Sequence, residues 1–144
     1  LIVVVTGLES ASVQQLIDDT PNVVFVNRYV SHREMAEFFA QSHLVVLPYL
    51  DATQSGIQAT ALAFEKPVVA SNVGAISEML EDGQSGLLVP PGDVNALAAA
   101  VSRCLGSKQL LDQLREGSAR LHRGRLSWNE LYPQILGHYH AVLG

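Results

Sequence analysis

The chain has 144 residues, 48% of them hydrophobic and 16% charged, with a formal net charge of −5 and one cysteine. That composition excludes a disordered chain and a disulfide scaffold, and a lone cysteine excludes a cysteine-built zinc cage. A chain of this length buries roughly two-thirds of its unfolded surface, enough for a full core.

In chain order, Leu1 to Val5 is a run that fits a buried strand, ended by Thr6-Gly7. Val13, Leu16 and Ile17 recur at helical spacing and predict a helix from Ser10 to Asp18. Pro21-Asn22 restarts the chain, and Val23 to Val26 is the second expected strand. Ser31-His32-Arg33-Glu34 has the spacing of a capping box, so a helix starts there and carries Met35, Phe38 and Phe39 inward. Leu44 to Leu47, closed by Pro48, is the third strand.

A connector leads to Ser55, and Gly56 opens a helix to Glu65 with Ile57, Ala61 and Phe64 at helical spacing. Lys66-Pro67 ends it, because proline cannot continue the backbone ladder. Val68 to Ala70 is the next strand. Strand, loop, helix and strand form a right-handed crossover, whose ligand crevice lies beyond the carboxyl ends of the strands. Gly74 to Glu78 then reads as a turn into a short helix, ended at Asp82-Gly83 through a left-handed position, and Leu87 to Val89 as a fifth strand. Asp93, after Pro90-Pro91-Gly92, caps a helix from Val94 to Leu105. Helices from Lys108 to His122 and Trp128 to Leu143 complete a single α/β domain, a parallel sheet with helices on both faces.

Charge is unevenly spread: residues 1–100 hold three Lys/Arg and eleven Asp/Glu, and residues 101–144 hold six and three. The tail's Arg103, Lys108, Arg115, Arg120, Arg123 and Arg125 are scattered among acids, so they read as a solvated face with no nucleic-acid partner. Cys104 shares an apolar helical side with Leu97, Ala100 and Val101 and reads as packing. The stripe Trp128, Leu131, Ile135, Leu136 and Tyr139 reads as core or interdomain packing. No His pair has ligand spacing on one helical face, so no metal is expected. Without a signal peptide or an apolar run long enough to span a bilayer, the expected location is cytoplasmic. The start at Leu1, inside a strand-like run with no initiator Met, sets the expectation of a piece of a longer protein.

The richest stretch is residues 51–89. Ser55, Gly56 and Ile57 open a helix, where free N–H groups and the positive end of the dipole attract phosphate oxygens. Thr53 and Gln54 either add side-chain donors or satisfy the turn. Gly7 ends the first strand, giving room to a ligand or making a plain turn. Glu78 reads first as a first-turn complement to a helix dipole.

The combination VVLPY, the turn SGI, KPVVASNVGAISEMLEDGQSGLLVPPGD and SWNELYPQILGHY resembles the C-terminal domain of GT-B-fold glycosyltransferases, family-4-like (group 1), over nearly the whole chain. This resemblance implies the Rossmann-like C-terminal half of a GT-B fold, entered after its first strand and helix. It implies that the domain binds a nucleoside diphosphate sugar while an N-terminal domain binds a sugar or lipid acceptor, with a hexose transferred and its anomeric configuration retained. No cofactor is implied, and the catalytic residues stay unassigned. The donor-binding positions it suggests are Thr53, Gln54, Ser55, Gly56, Ile57 and Thr60, with Gly7, Arg28 and Tyr29 near the base and Glu78 after the later turn. Tyr29 is open to the plainer reading of ordinary packing.

Three departures stand out. The family's two Glu, separated by seven residues, correspond to Ala52 and Thr60, neither of them acidic. Gly56 stands where the family has an apolar residue, and Ser77 where it has Pro. The Arg and Lys that neutralise the diphosphate belong to the strand and helix expected upstream. A fragment of this kind is expected to be inactive alone and to self-associate through an uncovered sheet edge. Peripheral membrane contact is a further expectation for the full-length enzyme. The rival readings are a non-catalytic module that kept the fold for assembly and a receiver domain, the latter disfavoured by the lack of an acidic cluster for magnesium.

Overall fold

The structure, a computed structural model, describes residues 20–143. The expected strand Leu1 to Val5, Gly7 and the helix from Ser10 to Asp18 lie outside the described residues. The chain divides into two compact units, Leu1–Ser42 and His43–Gly144.

In the first unit, α1 (His32–Gln41) begins at the predicted capping box. The Glu34 N–H donates to Ser31 Oγ at 3.3 Å, and the Ser31 N–H donates to Glu34 Oε2 at 3.1 Å. Phe39 is buried, while Met35 and Phe38 are half-buried. Val23 to Val26 is not a strand: a strand needs a ladder partner, no described strand pairs with it, and its expected neighbours precede the described residues.

The second unit contains a parallel sheet of β1 (Val45–Leu47), β2 (Val68–Ser71) and β3 (Gly86–Val89) in sequence order. Val46, Val69 and Leu87 share one register row. Between β1 and β2 runs α2 (Gly56–Ala63); after β3 come α3 (Val94–Leu105), α4 (Lys108–Arg123) and α5 (Trp128–Leu143). Every residue of the central strand β2 is buried. Val69 meets Leu44, Leu87, Cys104 and Leu114 in a core cluster, with Leu97, Ala100 and Val101 of α3 against it. Because side chains alternate along a strand, Val68 and Ala70 face the other way, and α2 packs against this strand. Helices therefore cover both faces, as an α/β sheet requires.

Local chemistry sets the boundaries. Asp93 caps α3 by accepting from the Ala96 N–H at 2.8 Å, and Ser107 caps α4 by accepting from Leu110 at 3.2 Å. The end of α2 is a Schellman-type turn: the Lys66 N–H donates to Ala61 O at 2.8 Å while Glu65 sits at φ +54. Gly83, at φ +73, turns the chain into β3. There the Gly83 N–H donates to Gly86 O at 2.8 Å, and the Leu88 N–H donates to Asp82 Oδ1 at 2.8 Å.

One expected apolar face is corrected and another is narrowed. On α2 the buried residues are Gln58, Ala61 and Leu62, not the row Ile57, Ala61 and Phe64, so the helix is rotated about one residue from the apolar pattern. On α5, Ile135, Leu136 and Tyr139 are exposed and Leu131 is half-buried, so of the two expected readings, core and interdomain packing, these residues do not support the first.

Candidate functional site

The loops leaving the carboxyl ends of β1 and β2, residues 48–55 and 72–77, lie side by side because those strands are neighbours. Ser55 is the N-cap of α2; its Oγ accepts from the Gln58 N–H at 3.2 Å and lies 3.3 Å from the Tyr49 hydroxyl. The first intrahelical bond runs from Ala59 N to Ser55 O at 3.2 Å, so the Gly56 and Ile57 N–H groups precede the ladder. Both residues are exposed, and no atom lies within 4 Å of where a Gly56 side chain would begin. The helix start thus presents unspent donors and the positive dipole end to open space.

Three contacts tie the two loops together. The Ala75 N–H donates to Thr53 O at 3.3 Å. Gly74, at φ +47, leaves so little room that a Cβ there would lie 1.6 Å from the Ala52 carbonyl oxygen. Gln58 Nε2 donates to Ile76 O at 2.8 Å from within the protein, its side chain fully buried. Sequence reasoning missed Gln58. The available signal was a polar residue on the inward row Gln58, Ala61 and Leu62, hidden by aligning the helix on Ile57.

The other predicted residues fall as follows. Thr53 and Gln54 are exposed on the loop beside the helix start. Thr60 Oγ1 donates to Gly56 O at 2.7 Å, one turn back in its own helix, so its hydroxyl keeps only acceptor capacity for a ligand. Glu78 is exposed and follows a 3₁₀ turn, Gly74–Ile76, that ends before it; the dipole-complement reading fails because no helix starts at that position. Instead the Glu78 carbonyl accepts from the Arg125 guanidinium.

Arg28 and Tyr29 belong to the first unit. The Arg28 guanidinium donates to Glu34 Oε1 at 2.7 Å and to the Tyr29 carbonyl at 3.1 Å. The hydrogen bond from Arg28, followed by those from Ser31, holds the Glu34 carboxyl at about 2, well below its ordinary 4.5. The Tyr29 side chain is exposed. Gly7 lies outside the described residues. Neither residues 48–58 nor 72–80 contain a Lys or Arg, so the anion-attracting groups these loops themselves supply are backbone N–H groups and neutral side chains, and the Arg125 guanidinium reaches the second loop at the Glu78 carbonyl. Among the described residues no group of three His, Cys, Asp or Glu could hold a metal ion. None of their helices is long and apolar enough to cross a membrane. Chemically, this edge offers binding groups.

Comparison with known proteins bears on this geometry. The sequence profile of the family described as glycosyl transferases group 1 matches residues 1–107. The chain is 27% identical over 119 residues to an alpha-D-kanosaminyltransferase of Streptomyces kanamyceticus, covering 83% of this chain and 31% of that protein. It is 35% identical over 111 residues to a D-inositol 3-phosphate glycosyltransferase of Nocardioides sp., covering 76% and 24%. The chain thus spans less than a third of the length of these curated relatives. Among solved structures, sucrose-phosphate synthase of Thermosynechococcus elongatus superposes with a TM-score of 0.79 at 23% identity, over 97% of this chain and 38% of that one. HepE of Anabaena, in complex with UDP, superposes with a TM-score of 0.78 at 21% identity, over 90% and 36%. These likenesses show the fold.

Proposed function

Because the chain belongs to the group 1 glycosyl transferases, we propose that it is the part of a glycosyltransferase that binds a nucleoside diphosphate sugar, its diphosphate seated at the start of α2. The observation that carries this reading is the Ser55-capped helix start with open space in front of Gly56, at the carboxyl edge of a parallel sheet. HepE, of similar fold, is seen with UDP and, in a further structure, with UDP-glucose.

In this reading the Gly56 and Ile57 N–H groups donate to phosphate oxygens, Thr53 and Gln54 add side-chain donors, and Thr60 accepts from a ribose hydroxyl. Glu78 faces the sugar, and Arg28, Tyr29 and Gly7 belong near the base. Cations for the leaving diphosphate and the acceptor site come from the rest of the protein, which moves a hexose to a sugar or lipid acceptor with retention and without a cofactor. The reaction takes place on the cytoplasmic side.

Isothermal titration of the intact protein against a panel of nucleotides and nucleotide sugars tests this. We expect one nucleoside diphosphate and its sugars to bind well below millimolar concentration. No binding to any of them at millimolar concentration overturns the reading in favour of a non-catalytic module, consistent with Ala52 and Thr60 at the two carboxylate positions.

A further inference from the structure

Gln58 is the polar member of the buried face of α2, beside Ala61 and Leu62. Its Nε2 donates to Ile76 O at 2.8 Å, eighteen residues away, while its Oε1 is buried with no partner. Exchanging the two ends of the amide does not mend this, since the Ile76 carbonyl requires a donor. For packing alone, methionine or leucine would fill the space without burying an unanswered acceptor. What the amide adds is one directional bond between two segments that leave the carboxyl ends of neighbouring strands. The other two ties, Ala75 to Thr53 and Gly74 against Ala52, hold the loop before the helix; Gln58 holds the helix itself.

We infer that Gln58 is a positioning residue of the donor site, whose amide fixes the first turn of α2, with its exposed N–H groups, relative to the Gly74–Ile76 turn and the Ser77–Glu78 segment that follows. The inference rests on the reading of this edge as the donor site. Gln58 does not touch the ligand; it sets the distance between two groups of atoms that do. A shift of this helix start relative to the turn separates donors that must close on one diphosphate sugar together, and small misplacements of this kind are costly to binding and to catalysis.

The test titrates the intact protein with UDP-glucose and GDP-mannose, in parallel with thermal unfolding. Gln58→Met exchanges one unpaired buried acceptor, its own Oε1, for another, the Ile76 carbonyl, so the melting temperature is expected to stay near that of the parent. Affinity for the probe that binds is expected to fall about tenfold. In Gln58→Glu the ionised carboxylate cannot donate to Ile76, whereas the protonated form can, so affinity relative to the parent is expected to recover as pH is lowered. Unchanged affinity in a folded Gln58→Met overturns the inference, as does a lowered melting temperature with affinity intact, which marks a purely structural residue. Gly56→Val, whose side chain enters the open space before the helix, separates the two ideas. If it abolishes binding while Gln58→Met does not weaken it, only the inference falls. If it leaves binding intact, the placement of the donor site falls and the inference with it.

Discussion

Glu65 occupies the left-handed region at φ +54, where a side chain costs about 1–2 kcal/mol compared with glycine. Against that cost stands its ion pair with Arg123, whose guanidinium is largely exposed. An exposed pair contributes roughly 0.2–1 kcal/mol, so the strain outweighs the attraction. Glu65→Gly is therefore expected to stabilise the protein by about 0.5–1 kcal/mol, read as a higher urea midpoint, because the Schellman turn keeps its bonds and loses its steric penalty. A lower midpoint would mean that the Arg123 pair is worth more than its exposure indicates.

At the level of elements, α4 is seated by two adjacent small residues. Gly117 lets the helix approach so closely that a Cβ would lie 1.9 Å from the Gln84 carbonyl oxygen. Ser118, fully buried, places its hydroxyl 3.1 Å from Lys66 O and 2.9 Å from Ser85 O, bridging the residue before Pro67 to the one before β3. Ser118→Ala leaves those carbonyls without that donor and is expected to cost about 1–3 kcal/mol in urea denaturation, with no change in nucleotide affinity.

The cap of α1 responds to acid. With its carboxyl held at about 2, against 4.5 when unfolded, Glu34 is more acidic in the folded protein. Its contribution is then complete above about pH 4.5 and is lost as pH falls toward 2. The stability difference between the parent and Glu34→Gln, followed by urea titration, is expected to be constant above pH 5 and to shrink in that window. A difference independent of pH would show that the carboxylate takes no part in the cap.

What could be foreseen from the sequence follows the range of the interactions. Ser31 and Asp93 were legible as caps because a cap acts over three residues, and Pro67 as a stop because it acts on its own backbone. The three short strands were legible because apolar β-branched runs beside Gly and Pro have few alternatives. Val23 to Val26 looked the same, yet a ladder is a non-local agreement that one strand cannot supply. Gln58 and Ser118 were hidden for a related reason: each bonds a carbonyl at least eighteen residues away, and a polar residue reads as exposed until its partner is known. At the site, the helix start was legible as a pattern, whereas the loop contacts that hold it came only from the fold.

At the scale of the whole molecule, the three-stranded sheet has a border at β3 that its own chain partly closes. In a parallel strand the N–H and C=O of one residue point the same way. Val89 turns toward β2, where its carbonyl accepts from Asn72 at 2.8 Å, so Gly86 and Leu88 turn outward. Two of their four outward groups are engaged by the turn just before the strand, Gly86 O by the Gly83 N–H and Leu88 N–H by the Asp82 carboxylate. The border is partly bound like the selvedge of a cloth, by the thread that made the last row. These contacts are three and six residues apart, so they close before any long-range pairing has to be found. A strand added beside β3 would therefore first have to displace contacts that the chain makes within seven residues of itself.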